Sequence, residues 1–164
     1  MATITSKDGT KIAYEKSGSG PPLILVDGAL CSRDFGPMPK LAPLLAEHFT
    51  VFMYDRRGRN ESGDTKPYAP GREIEDIDAL IKEAGGSAYV YGISSGAALS
   101  LAAGAAGLNI TKLALYEPPF EEPGTSGGAP KDMLPHLKAL VAEDRRGDAV
   151  KYFMKIVGVP SFGI

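Results

Sequence analysis

The segment Gly92-Ile93-Ser94-Ser95-Gly96 sets a serine hydroxyl between two glycines. It follows the β-branched and aromatic run Tyr89-Val90-Tyr91 and precedes the small, helix-tolerant residues Ala97-Ala98-Leu99. This is the G-x-S-x-G spacing in the context that gives it meaning, a strand turning sharply into a helix. At the tip of so tight a turn the backbone of Ser94 is strained and neighbouring segments pass very close, so side chains at positions 92 and 96 would collide. The turn exposes one hydroxyl at the end of a sheet, beside N–H groups at a helix N-terminus that favour negative charge. The chemistry this suits is nucleophilic attack by Ser94. The plain alternative is a serine in a glycine-rich turn.

The rest of the chain supplies the elements such a turn needs. Ala2 to Ser6 and Lys11 to Lys16 alternate apolar with polar residues around Asp8-Gly9, which predicts an antiparallel hairpin at a sheet edge. Leu23-Ile24-Leu25-Val26 is continuously apolar, as a strand covered on both faces should be. A short helix is expected over Leu41 to Glu47, and a buried strand over Phe49 to Tyr54, ending at Asp55. The clearest helix runs from Glu73 to Ala84. Ile74, Ile77, Leu80, Ile81 and Ala84 make one face, with acids early, Lys82 late and Gly85-Gly86 as the stop. The strand before Ser94, the helix from Ser95 to about Gly104, and a strand over Lys112 to Tyr116 follow. A hairpin and then alternating strands and helices predict an α/β fold with a mostly parallel sheet.

Beyond Glu117-Pro118-Pro119-Phe120 the character changes. Residues 121–130 are rich in Gly, Pro and Ser and read as a linker between a core at 1–120 and a segment at 131–164. In that segment one helix starts near Asp132, carries Leu134, Leu137, Leu140 and Val141 inward and ends at Arg145-Arg146-Gly147. A second begins at Asp148, with Val150, Phe153, Met154 and Val157 inward.

Composition narrows the function classes. At 164 residues, 43% hydrophobic, with net charge −2, the chain suits one globular domain with a real core. Its only basic cluster, Arg56-Arg57-Gly58-Arg59, is too short for a nucleic-acid footprint. The single cysteine, Cys31, excludes an internal disulfide and a cysteine-built metal site and fits a reducing compartment. No apolar run approaches the roughly 20 residues of a membrane span. Met1-Ala2-Thr3 leads straight into a strand pattern without a signal-peptide layout, so the expectation is a cytoplasmic protein with no membrane partner.

With these residues in view, the sequence resembles the α/β-hydrolase fold family, in particular its cofactor-free, esterase-like members. Three separated segments carry the likeness: Gly92-Ile93-Ser94-Ser95-Gly96, the strand end Leu23-Ile24-Leu25-Val26-Asp27-Gly28-Ala29, and Tyr54-Asp55-Arg56-Arg57-Gly58-Arg59-Asn60-Glu61-Ser62. The last is similar to the family's Asp-x-Arg-Gly-x-Gly-x-Ser loop. Tyr116-Glu117-Pro118-Pro119-Phe120 resembles the start of an excursion into a helical cap. The resemblance implies a three-layer α/β/α fold with Ser94 as nucleophile and the backbone N–H groups of Ala29 and Ser95 as the oxyanion hole. It implies no metal or redox cofactor, and as partner a small ester, lactone or related carbonyl substrate. Serine at the turn argues against the carboxylate nucleophile of dehalogenases and epoxide hydrolases, and against the cysteine of dienelactone hydrolases.

Several departures accompany the likeness. Asp27 stands where many members have histidine, and Asn60 replaces a glycine, a mild change because Asn tolerates left-handed backbone. The family's later strands bring an acid and then a histidine, in the order Ser, Asp/Glu, His, and neither His48 nor His136 matches that position. The sequence therefore reads as the N-terminal two-thirds of the fold, with the C-terminal strands missing and only part of the cap present. Glu117 is a minor candidate for the acid and His136 for an improvised base. Cys31 is a remote candidate nucleophile, and Asp55, Arg56 and His48 read as structural. Two function classes stay open: a serine hydrolase working through an acyl-enzyme, and a non-catalytic remnant or ligand-binding module, while a second polypeptide supplying the missing strands is a third possibility. Leu113-Ala114-Leu115 would be left as an apolar sheet edge, so self-association is expected.

Overall fold

The computed structural model describes residues 2–120 and 128–159. The expected linker therefore lies largely outside the described residues, as do the last five of the segment expected at 131–164. The chain divides into two compact units, Met1–Phe120 and Glu121–Ile164.

In the first unit Asp8-Gly9 folds the initial alternation back on itself. Gly9 adopts φ 88°, the Asp8 carboxylate accepts the Thr10 N–H at 3.0 Å, and β1 (Ala2–Thr5) pairs antiparallel with β2 (Lys11–Ser17). Four further strands are β3 (Pro22–Val26), β4 (Thr50–Tyr54), β5 (Ala88–Ile93) and β6 (Ile110–Tyr116). The sheet order is β1-β2-β4-β3-β5-β6, with β4, β3, β5 and β6 mutually parallel. The expected α/β class with a mostly parallel sheet is what the chain forms.

Period-two alternation builds the three layers. Ile24 and Val26 of β3 pack with Phe52, Tyr54 and Val90 against Ile77, Leu80 and Ile81 of α2 (Pro70–Glu83) and Leu99 and Ala103 of α3 (Ser95–Ala105). Leu23 and Leu25 point to the other face, where they meet Val51 and Met38 and Ala42 of α1 (Met38–Leu45). Helix starts fall earlier than the hydrophobic pattern alone suggests, because prolines fix the entering dihedral angle: Pro39 in α1, Pro70 in α2.

This topology locates a site. The connection from β3 to β4 carries α1 on one face, and that from β4 to β5 carries α2 on the other. Chain direction thus reverses around the carboxyl end of β3, the place where open α/β sheets form their crevice. Residues 27–31, 55–59, 94–95 and 117 all follow the carboxyl ends of parallel strands.

In the second unit α4 (Met133–Ala142) packs against α5 (Arg146–Ile156), burying Leu140 and Ala149. Leu134, Val141, Val150 and Val157, expected to face inward, are exposed. A pair of helices shares one seam, and these apolar stripes are wider than that seam.

Candidate active site

β5 ends at Ile93, and the chain reverses into α3 through Ser94 at φ 53°, ψ −122°. A serine holds such a conformation only when its surroundings over-determine it, and here they do. The Ser94 N–H donates to the Tyr116 carbonyl at 2.9 Å, and the Ser94 carbonyl accepts from Ala97 and Ala98 at 2.9 and 3.2 Å. The two flanking glycines are sterically required. A Cβ on Gly92 would lie 2.5 Å from Ser100 Oγ and 2.7 Å from Ala97 Cα, and one on Gly96 would fall on the Val26 carbonyl, 2.5 Å from Asp27 O. α3 therefore sits directly on the ends of β5 and β3, with small residues along its length.

That packing brings Asp27-Gly28-Ala29 alongside the serine. A methyl group built on Gly28 would lie 3.4 Å from Ser94 Cβ. Ser94 is half-buried, and neither the N–H of Ala29, next in the chain to Gly28, nor that of Ser95, at the first position of α3, has a partner among the described residues. Free N–H groups beside a hydroxyl at a helix N-terminus can stabilise a developing oxyanion.

Asp27 is buried, 3% exposed, and its carboxylate accepts the Gly28 N–H at 3.1 Å. Burial pushes its carboxyl above the ordinary value, against the lowering effects of that hydrogen bond, of Cys31 and of the cations Arg59 and Arg56. Burial likewise raises the Cys31 thiol, with the neighbouring Asp27 adding to it, and the thiol donates to the Ala29 carbonyl at 3.4 Å. A thiol shifted that way holds its proton, the opposite of an activated nucleophile.

The loop after β4 contributes three arginines with separate tasks. Arg56 forms a buried two-point ion pair with Glu73, at 2.6 and 2.8 Å, and its NH1 donates to Asp27 O and Ser95 Oγ, both at 3.1 Å. Burial pushes the Glu73 carboxyl up, but the Arg56 guanidinium outweighs it and the net shift is downward. Arg57 grips Asp76 at 2.7 and 2.9 Å and Asp8 at 2.8 Å. Arg59 donates from NH1 to Gly28 O at 2.5 Å and to Cys31 O at 3.2 Å. Asp55 holds the chain beneath them, accepting from Arg33 N and Nε at 2.9 and 3.0 Å.

Sequence reasoning missed three of these roles. It noted Glu73 and Asp76 only as acids early in the helix, whereas both are buried. The signal was present: 73, 76, 77 and 80 have the spacing of one helical face, so the acids share the apolar stripe of α2. Arg59 was read as one member of a basic cluster and of the Tyr54–Ser62 loop, with no contact assigned to it.

The remaining candidates stand elsewhere or lack contacts. His48 is exposed at the amino end of β4, so a strand of roughly 16 Å separates it from the edge that carries Ser94. His136 packs at a tilt against Tyr152 within the second unit, ring centroids 4.4 Å apart. Glu117, at φ 47°, is exposed and follows the residue whose carbonyl accepts the Ser94 N–H. Among the described residues no group of three or more His, Cys, Asp or Glu side chains is placed to hold a metal, and no helix is long and apolar enough to cross a membrane.

A sequence model described as the alpha/beta hydrolase family matches residues 18–162. Among solved structures, an alpha/beta hydrolase from Sphaerobacter thermophilus DSM 20745 has a TM-score of 0.91 at 56% identity, covering 98% of this chain and 62% of that one. An esterase, EaEST, from Exiguobacterium antarcticum has a TM-score of 0.75 at 26% identity, covering 94% and 60%. An uncharacterised hydrolase, YraK, of Bacillus subtilis (strain 168) is 36% identical over 97 residues, 57% of this chain and 35% of that protein. The chain thus spans about a third of that curated relative and under two thirds of the two solved neighbours.

Proposed function

We propose, from the premise that this chain belongs to the alpha/beta hydrolase family, that it carries the nucleophile and oxyanion hole of a serine hydrolase. The substrates are small esters, lactones or related carbonyl compounds. The observation that supports this most is the strained Ser94 with the unpartnered N–H groups of Ala29 and Ser95 beside it.

In this reading Ser94 Oγ attacks the carbonyl carbon. As the new C–O bond forms, the hydroxyl proton passes to a base and the carbonyl π electrons move onto oxygen, where the two N–H groups hold the charge. Collapse of the tetrahedral intermediate breaks the bond to the leaving alcohol, which takes up the proton, and leaves an acyl-serine. Water repeats the sequence, releasing the acid and restoring Ser94.

One observation favours a second reading, a ligand-binding module without turnover: the only histidine of the first unit, His48, stands at the opposite end of the sheet from Ser94. Base loss removes most of the rate, while oxyanion stabilisation and binding leave residual catalysis. Hydrolysis of a p-nitrophenyl ester distinguishes the two. The hydrolase reading expects turnover above background that is abolished in Ser94→Ala. Turnover that persists in Ser94→Ala removes Ser94 from the mechanism, and the absence of turnover in the unaltered chain leaves the binding module.

A further inference from the structure

Deepening the reading of Ser94, Ala29 and Ser95 given above, on which it rests, we propose that Arg59 is the positioning residue of the oxyanion hole, aiming the Ala29 N–H by gripping the carbonyl of the same peptide group.

The geometry is that of a single planar unit. Gly28 C=O and Ala29 N–H belong to one trans peptide, so the two dipoles point in opposite directions and cannot turn independently. Arg59 NH1 holds the Gly28 oxygen at 2.5 Å, and so fixes where the Ala29 N–H points. A cation on the carbonyl end also draws electron density through the amide and makes its N–H a stronger donor. The other hydrogen of the same NH1 reaches the Cys31 carbonyl at 3.2 Å, closing the 28–31 segment across Leu30, whose φ is 60°. A leucine in left-handed backbone needs such outside restraint.

Arg59 is itself held by a rigid turn. Its N–H donates to the Arg56 carbonyl at 3.1 Å and its carbonyl accepts from Ser62 N at 2.9 Å. Ser62 Oγ in turn donates to Asp55 O at 2.6 Å and accepts from Ala13 N at 2.9 Å. Arg56, from the same turn, holds the preceding peptide through Asp27 O and reaches across to Ser95 Oγ. The loop thus grips three carbonyls of the 27–31 segment, those of Asp27, Gly28 and Cys31. Unlike Arg33, Arg56 and Arg57, Arg59 has no carboxylate ion pair among the described residues. A half-buried guanidinium without one is costly for stability, and its hydrogen bonds go to the loop carbonyls of Gly28 and Cys31.

The test follows fluorophosphonate labelling of the full chain by intact mass, separating kinact from KI, in unaltered protein, Arg59→Lys, Arg59→Met and Ser94→Ala. Deleting an oxyanion donor costs about 10²–10³-fold, so misaiming one should lower kinact by about 10-fold in Arg59→Met with KI unchanged, and less in Arg59→Lys. Unaltered kinact in both variants overturns the proposal, as does a rise in KI alone, which would make Arg59 a ligand contact. If Arg59→Met fails to fold, the amide proton of Ala29 in Arg59→Lys decides: an upfield move with Ser95 unmoved supports the clamp, and an unmoved Ala29 overturns it. Labelling that survives in Ser94→Ala, or is absent from the unaltered chain, counts instead against the nucleophile reading, and the Ala29 resonance still reports on the clamp.

Discussion

Asp27 shows how one side chain near the candidate nucleophile contributes to the pH dependence of the fold. Its carboxyl is buried and lifted above the ordinary value of 3.8 chiefly by that burial. A raised folded-state value means that the folded protein holds this proton more tightly than the unfolded chain does. The stabilising contribution is therefore full below 3.8 and is lost as pH rises through the folded-state value. Asp27→Asn removes the titration while its amide oxygen can still accept the Gly28 N–H. Urea unfolding should find the variant gaining on the unaltered chain as pH rises from below 3.8 to neutral; a pH-independent difference would show that Asp27 is not the responsible group. At this scale the sequence was informative wherever sterics decide. Gly92 and Gly96 could be read as obligatory because nothing larger fits beneath a strand-to-helix reversal. The Arg59 contact could not be read, because it depends on where a loop after β4 meets a loop after β3.

Helix α2 and the loop after β4 act as one assembly, joined by charges that a one-dimensional pattern assigns to solvent. The side chains of Arg57 and Asp76 are each only 1% exposed. Removing one partner of a buried pair leaves an uncompensated charge and costs about 3–5 kcal/mol. Asp76→Ala should sit at the lower end of that range, since Arg57 keeps Asp8 at 2.8 Å. Chemical denaturation at neutral pH measures it, and a loss below about 1 kcal/mol, the scale of an exposed pair, would contradict the account. Helix α2 itself was legible, because Ile77, Leu80 and Ile81 set its period. The spacing of 73 and 76 with 77 and 80 signalled that its acids share the buried face, but their arginine partners were not legible, because they come from a loop distant in sequence.

For the whole molecule, hydrophobic continuity and element alternation made the parallel sheet and its layers readable. The crevice at the ends of β3 and β5 followed from topology. The second unit was less legible, since the apolar stripes of α4 and α5 extend beyond the seam they share. At the sheet's end β6 offers seven residues on an edge that is unpaired among the described residues, with Tyr116 51% exposed. We propose that the chain self-associates there, as open edges favour pairing. Sedimentation velocity should show a concentration-dependent coefficient that Ala114→Lys shifts toward monomer, whereas a concentration-independent monomer would oppose it. Everything proposed for this molecule rests on Ser94, at the turn between β5 and α3, being the nucleophile. Peptide mapping of the fluorophosphonate-treated chain should find one adduct, on Ser94; an adduct on another residue, or none, would remove Ser94 from that role.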